Sequence, residues 1–180
     1  MNPQSDDVLK KINEQIVKVA IKEEEELSQA FRKGIFFMPE LALAYAAGKA
    51  IAKALAATYP NESVAWTREE RIGPDGPSDL IISGVGWRKL VIEFKVSQGD
   101  SDYLADIAKL KRLDPAKYIR VFCALCDVKE SDLPIDARIQ AVERDSSVKR
   151  IGDLTAFRTK HLAYVGNIYC VLGVWAILLT

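Results

Sequence analysis

The sequence predicts an α/β domain in which a mixed central β-sheet is flanked by helices and preceded by an N-terminal helical extension. Helical apolar periodicity covers residues 6–33, 39–58 and 102–113. Two short apolar runs, residues 80–82 and 90–96, flank a glycine-bounded turn, which is typical of a β-hairpin. The run 118–128 is nearly all apolar and follows a helix, which favours a buried strand parallel to the strand before that helix.

Length and composition indicate a soluble single domain. The 180 residues suffice for one core, and we divide them into an N-terminal extension (1–35), a core (36–128) and C-terminal helices with a closing strand (129–180). The formal net charge of zero argues against broad nucleic-acid coating, but it permits a local basic rim. Three cysteines give no disulfide framework, and neither a signal peptide nor a bilayer-spanning run is recognisable. We therefore expect a cytoplasmic protein without membrane contact.

Two helices open the chain. In the first, Val8, Ile12 and Ile16 form an apolar stripe, the acidic run 23–26 is expected to face solvent, and Gly34 is expected to end the helix. The second is rich in alanine, with Pro39 in its first turn. Glu40 stands at the start of this apolar segment. It is either an acid that complements the helix dipole or an additional active-site acid.

The first core strand is predicted over residues 64–72. Arg68 and Arg71 lie near its polar end, where they could contact a phosphate or simply be solvated. A loop rich in glycine and proline, residues 73–77, then leads to the hairpin.

The hairpin brings polar side chains together. If it folds about Gly86, Asp79 lies opposite Glu93, and the period of two puts Lys95 on the same face as Glu93. Two neighbouring carboxylates disfavour each other's ionised form, and a lysine or a hard divalent cation relieves this. The alternatives are a solvated salt-bridge ladder and a metal site with a lysine beside it.

The polar pattern Pro77, Ser78, Asp79, followed by Glu93, Phe94 and Lys95 on the next strand, resembles the PD-(D/E)xK nuclease superfamily. Ser78, which separates the proline from the aspartate, is a departure from the usual spacing. The order of elements extends the resemblance over most of residues 36–128. The resemblance implies a restriction endonuclease-like sheet.

The resemblance also implies roles for particular residues. Asp79, Glu93 and the carbonyl oxygen of Phe94 would be metal ligands, and Lys95 would be the catalytic lysine. Related nucleases often place a glutamate on the preceding helix and a glutamine after the lysine. Those positions correspond to Glu40 and Gln98.

The remaining chain is predicted as follows. Ser101 is expected to cap the helix 102–113, whose basic side carries Lys109, Lys111 and Arg112 and either faces solvent or tracks phosphates. Cys123 and Cys126, on opposite faces of strand 118–128, are expected to be buried small hydrophobes. A helix from about 133 to 145–149, a short helix over 153–160 and a final strand over 168–179 complete the chain. His161, the single histidine, has no recognisable catalytic partner.

The sequence therefore predicts a metal-dependent phosphodiesterase, specifically a DNA endonuclease that uses Mg²⁺ or Mn²⁺. Its partner would be nucleic acid, and cutting of a duplex would call for a homodimer because one such site cuts one strand. Two alternatives stay open. One is a catalytically inactive nuclease-fold domain that binds nucleic acid or protein, and the other is an interaction protein that assembles through its N-terminal helix.

Overall fold

A computed structural model describes residues 3–84, 88–97, 99–133, 136–160 and 167–178. The α-helices are α1 (Pro3–Phe31), α2 (Glu40–Thr58), α3 (Asp100–Lys111) and α4 (Ala137–Glu143). Short 3₁₀ helices span Ile35–Phe37 and Glu130–Asp132. The strands are β1 (Ala65–Thr67), β2 (Glu70–Gly73), β3 (Gly76–Ser78), β4 (Leu80–Ser83), β5 (Lys89–Val96), β6 (Tyr118–Lys129), β7 (Val148–Arg150), β8 (Thr155–Arg158) and β9 (Ile168–Ile177).

Seven of these strands form one mixed sheet in the order β1-β4-β5-β6-β9-β7, with β8 also paired to β9. The pair β5–β6 is parallel and the other pairs are antiparallel. The α3 helix connects the two parallel strands, as parallel pairing requires. The predicted α/β class with a mixed central sheet and flanking helices is therefore confirmed.

Helices cover both faces of the sheet and create two apolar cores. On one face α1 and α2 pack against alternate residues of β4, β5 and β6, among them Leu80, Ile92 and Phe94. On the other face α3 and α4 pack against the intervening residues, such as Ile81 and Val91. Cys123 lies in the first core and Cys126 in the second, and both are fully buried, which confirms their prediction as small core residues.

The first two helices follow the predicted periodicity. Val8, Ile12 and Ile16 are buried as the apolar stripe of α1. Gly34 does not end this helix. Arg32 takes the left-handed conformation (φ 53°), and its N–H donates to the carbonyl of Ser28. Within the described part of the chain, α2 alone has the length and apolar composition of a bilayer-spanning helix, a test that core helices of soluble proteins also pass.

The hairpin β4–β5 has the predicted register. Leu80 pairs with Ile92 and Ile82 pairs with Leu90. Gly84 leaves β4 with φ 107°, and a Cβ atom there would lie 1.6 Å from the carbonyl oxygen of Ser63. Only glycine fits this position. The expected turn around Gly86, together with Val85 and Trp87, lies outside the described residues.

The strand predicted over residues 64–72 is wrong as a single element. Glu69 adopts φ 53°, a left-handed conformation that ends a strand, and divides the segment into β1 and β2. β1 joins the main sheet beside β4, whereas β2 pairs with β3 in a separate two-stranded sheet. Asp79 therefore follows directly after the small sheet and directly before β4 of the main sheet.

The C-terminal third contains further differences. The segment predicted as a helix over 153–160 instead forms β8, because the long strand β9 offers it backbone hydrogen-bonding partners. Gly99, not Ser101, is the N-cap residue of α3. Asp136 caps the helix α4, which ends at Glu143, before the predicted end at 145–149. Residues 134 and 135, at the predicted start of this helix, lie outside the described residues. The long strands β6 and β9 agree with their predicted limits to within two residues.

Candidate functional site

Asp79 lies at the junction between the small sheet and the main sheet. It follows β3 and precedes β4, and its Oδ2 accepts a hydrogen bond from the backbone N–H of Phe94 at 2.8 Å. Because Leu80 pairs with Ile92, continuing the register by one residue sets Asp79 opposite Glu93. The predicted opposition of these two acids across the hairpin is thus present in the backbone register.

Glu93 lies inside the sheet, on the face that α3 covers. Its side chain is only 3% exposed, and its Oε1 is 2.9 Å from the Nζ of Lys109. This contact is an ion pair between two largely buried groups. The buried hydroxyl of Ser78 lies beside the same carboxylate and, like Lys109, favours its ionised form.

Lys95 occupies the next position on the same face of β5 and lies between two acids. Its Nζ is 3.0 Å from Asp106 Oδ2 on α3 and 3.4 Å from Glu40 Oε1 on α2. Glu40 also accepts the backbone N–H of Val96 through Oε2 at 3.1 Å. Glu40 therefore binds to the end of β5 in addition to any interaction with the dipole of its own helix.

We call these six side chains the acid–lysine cluster: Glu40, Asp79, Glu93, Lys95, Asp106 and Lys109. Asp106 and Lys109 both act on Asp79 electrostatically, which connects the two ion-paired groups. When all six are ionised, four carboxylates face two ammonium groups. Two negative charges thus lack a matching positive charge within the cluster, and this excess equals the charge of one divalent cation.

Burial is the main cause that raises the pKa values of three of these acids, and repulsion from a neighbouring carboxylate adds to it. Burial, together with the neighbouring Asp79, raises the pKa of Glu93 to about 7. Burial also raises the pKa of Asp79, although the Phe94 N–H and Lys95 act in the opposite direction. The pKa of Glu40 is raised by burial and by Asp79, and Lys95 offsets only part of this effect.

Lys95 responds in the direction that keeps it charged. Burial alone would lower the pKa of its ammonium group, but Asp106 and Glu40 outweigh burial and raise it. Lys95 is therefore a protonated hydrogen-bond donor at neutral pH.

The acid–lysine cluster offers a small set of oxygen ligands for a metal ion. Across the described ranges, no group of three or more His, Cys, Asp or Glu side chains is arranged to hold a metal ion. Asp79 and Glu93 together offer two carboxylates, and Mg²⁺ is often held by one or two carboxylates, with waters and substrate oxygens completing its shell. The buried carboxylate of Glu93 and the negative excess of the fully ionised cluster fit a hard divalent cation at this position.

The other predicted site residues have different surroundings. Arg68 donates to the carbonyl of Leu41 at 3.4 Å, and its guanidinium lies 5.2 Å from the ring centre of Tyr45, near the start of α2. Arg71 is exposed on β2. Lys109 belongs to the acid–lysine cluster, where it contacts Glu93. Gln98 and His161 lie outside the described residues. The roles of Gln98, Arg68, Arg71 and Lys109 in nucleic-acid binding, and of the Phe94 carbonyl as a metal ligand, remain predictions.

Asp106 is the site residue that the sequence analysis missed. It lies on α3 between Tyr103 and Leu110, which are both buried, so it borders the apolar stripe of its helix. An acid at the edge of a buried stripe, on the helix that directly follows the Lys95 strand, was the available signal.

Comparisons with family models, with curated proteins and with solved structures found no match.

Proposed function

We propose that this protein is a metal-dependent nuclease of the PD-(D/E)xK type that hydrolyses phosphodiester bonds in DNA. The observation that carries the proposal is the convergence of Asp79, Glu93 and Lys95 at one end of the β4–β5 hairpin, in a cluster that has two unmatched negative charges when all six side chains are ionised. A cluster of that charge favours a divalent cation bound beside a lysine, which suits catalysis on a phosphodiester.

The ligands of this cation would be Asp79 and Glu93, with the Phe94 carbonyl oxygen as a further candidate. A bound Mg²⁺ or Mn²⁺ would neutralise charge on the phosphate and lower the pKa of a coordinated water. The burial that raises the pKa of Glu93 also makes this carboxylate a strong partner for a cation, because few competing water molecules reach it.

Lys95 would act as a cation and not as a general base. Asp106 and Glu40 raise its pKa, so the amine has no free lone pair near neutral pH. A protonated lysine can orient a water molecule or stabilise negative charge that develops on phosphate oxygens. Glu40 and Asp106 are positioning residues in this proposal, since both hold the ammonium group of Lys95.

The test is plasmid nicking with Mg²⁺. The wild type should convert supercoiled to open-circular plasmid, whereas Asp79→Asn and Lys95→Ala should each lower the rate by at least about a hundredfold. Asp102→Asn removes an exposed acid from the same helix that carries Asp106 and serves as the matched control. Equal nicking by all four proteins would exclude this site as the source of activity.

A non-catalytic binding domain is the second candidate. In its favour, each lysine of the cluster is already in contact with an acid, so the charges can form a purely structural network. This candidate predicts that the protein shifts DNA in an electrophoretic assay but leaves the plasmid intact at every Mg²⁺ concentration. It also predicts that Asp79→Asn does not change DNA affinity.

A further inference from the structure

The ammonium group of Lys109 lies between two oxygen atoms of the kind that bind a divalent metal ion. Its Nζ lies 2.9 Å from Glu93 Oε1 and also donates to the backbone carbonyl of Pro77, two residues before Asp79. Its side chain is 16% exposed, so the ammonium group is largely removed from water. A carboxylate oxygen and a carbonyl oxygen are both ligands that hard divalent cations prefer.

The ammonium group of Lys109 is shared between two acceptors, the carboxylate of Glu93 and the carbonyl oxygen of Pro77. It can therefore release Glu93 and keep its hydrogen bond to Pro77, which lowers the cost of the movement. The flexible four-carbon stem of lysine allows this movement without a change in the backbone of α3.

We propose that Lys109 is the resident counter-cation of Glu93 and that it must leave this carboxylate before a divalent cation can bind. The inference rests on the proposed metal site. Lys109 then sets the divalent-cation affinity, because a positive charge a few ångströms away opposes a second cation and competes for the same oxygen. It is a positioning residue that acts through Glu93.

Lys109→Gln should therefore strengthen cation binding. Removing a unit charge at this distance from a partly buried site is expected to tighten Mn²⁺ binding by about tenfold or more. Lys109→Arg retains the charge and should leave the affinity within about threefold of wild type. Lys111→Gln is the matched control, since Lys111 is on the same helix but pairs with Asp145, outside the cluster.

The experiment measures Mn²⁺ binding to the full chain by titration calorimetry and by the electron paramagnetic resonance signal of free Mn²⁺, without nucleic acid. A pH of about 8 keeps Glu93 largely ionised in the wild type. Lys109→Met is measured in parallel, with circular dichroism on every variant, so that a fold defect in one substitution is recognised. The double variant Lys109→Gln with Glu93→Gln should lose the gain in affinity.

The outcomes separate the inference from the function on which it rests. Tighter binding by Lys109→Gln and Lys109→Met, but not by Lys109→Arg or Lys111→Gln, supports the inference. If the wild type binds Mn²⁺ and the neutral variants bind it equally or more weakly, the inference is wrong and the metal site stands. If no variant and no wild type binds Mn²⁺ at millimolar concentrations, the inference and the proposed metal-dependent function both fail.

Discussion

Asp106 on α3 holds Lys95 on β5, with 3.0 Å between its Oδ2 and the lysine Nζ. This ion pair joins α3 to the C-terminal end of β5, on the face of the sheet that also carries Glu93. It has a consequence for the protonation of Lys95, since burial lowers the pKa of the amine and the two neighbouring acids raise it. Of the two acids, Asp106 raises the pKa of Lys95 more than Glu40 does.

Asp106→Asn should lower the pKa of Lys95, because the amide keeps the shape of the side chain but loses the charge that favours the ammonium form. The measurement is a pH titration of the Lys95 Nζ and Cε resonances by NMR. Asp102→Asn, one turn earlier and exposed, is the control and should not change that titration. An unchanged pKa in Asp106→Asn would show that Glu40 alone keeps the lysine charged.

Glu93 gives a second prediction, on stability as a function of pH. Burial and Asp79 raise its pKa from 4.5 to about 7. Between these pH values the folded protein binds a proton that the unfolded chain has released. The contribution of Glu93 to the free energy of unfolding is therefore greatest below about pH 4.5 and falls as the pH rises to about 7.

Glu93→Gln cannot titrate and should lack this decline. Above pH 7 we expect the variant to be more stable than the wild type by about 1–3 kcal/mol, less whatever the lost contact with Lys109 had contributed. Urea unfolding over the range from about pH 4 to pH 8 measures the difference between the two proteins. Glu62→Gln, at an exposed site, should follow the wild-type curve. A parallel decline in Glu93→Gln would contradict the assignment of the proton to this residue.

Local patterns were sufficient for the centre of the sheet and for the hairpin that carries the acids. The strands β5, β6 and β9 carry long and mostly apolar runs, and the observed register of β4 against β5 is the one expected from their sequences. The opposition of Asp79 and Glu93 and the shared face of Lys95 follow from that register. This part of the site could be predicted because its residues are close in the sequence and lie on strands, where side chains alternate between the two faces of the sheet.

Features that depend on distant partners could not be predicted. Strand β8 is short and has no clear period, and only pairing with β9 makes it a strand. The sequence around Glu69 contains no glycine or proline that would indicate the break between β1 and β2. Asp106 enters the site only because α3 packs over β5, a placement that the helix pattern alone does not specify.

Arg120 is a buried charged residue that the apolar pattern of β6 did not reveal. Its side chain is buried, and its guanidinium donates to four carbonyl oxygens near the end of α3 and the end of β9. These carbonyls belong to Lys111, Leu113, Ile177 and Leu178. A cation at the C-terminus of a helix satisfies carbonyl groups that the helix itself leaves unpaired and interacts favourably with the helix dipole.

Arg120→Met should lower the free energy of unfolding by about 2–4 kcal/mol, because it leaves these carbonyls without their donor in a region closed to water. Arg120→Lys keeps the charge but has no planar fork to reach both element ends, so we expect an intermediate loss. Urea unfolding measures both. Arg112→Met, which breaks an exposed pair with Asp75, should cost at most about 1 kcal/mol. Equal losses at positions 112 and 120 would contradict the buried role of Arg120.

Glu24 departs most from its predicted surroundings. The acidic run 23–26 was expected to face solvent, yet Glu24 is only 3% exposed. Its Oε2 accepts the backbone N–H of Ile35 at 2.7 Å, its Oε1 accepts the N–H of Lys160 at 2.6 Å, and the hydroxyl of Thr159 donates to the same carboxylate. One buried carboxylate thus joins α1 to two segments that are distant from it and from each other in the chain.

Glu24→Gln tests this junction with a change of only one atom. A glutamine must turn its NH₂ group toward one of the two backbone N–H donors, so that donor faces donor in a buried space. We expect a loss of about 2–4 kcal/mol in the free energy of unfolding, measured by urea denaturation. Glu25→Gln makes the same chemical change on the exposed neighbour and should stay within about 0.5 kcal/mol of wild type. Amide hydrogen exchange should speed up at Ile35 and Lys160 in Glu24→Gln alone, and unchanged protection of both amides would disprove the proposed role of this carboxylate.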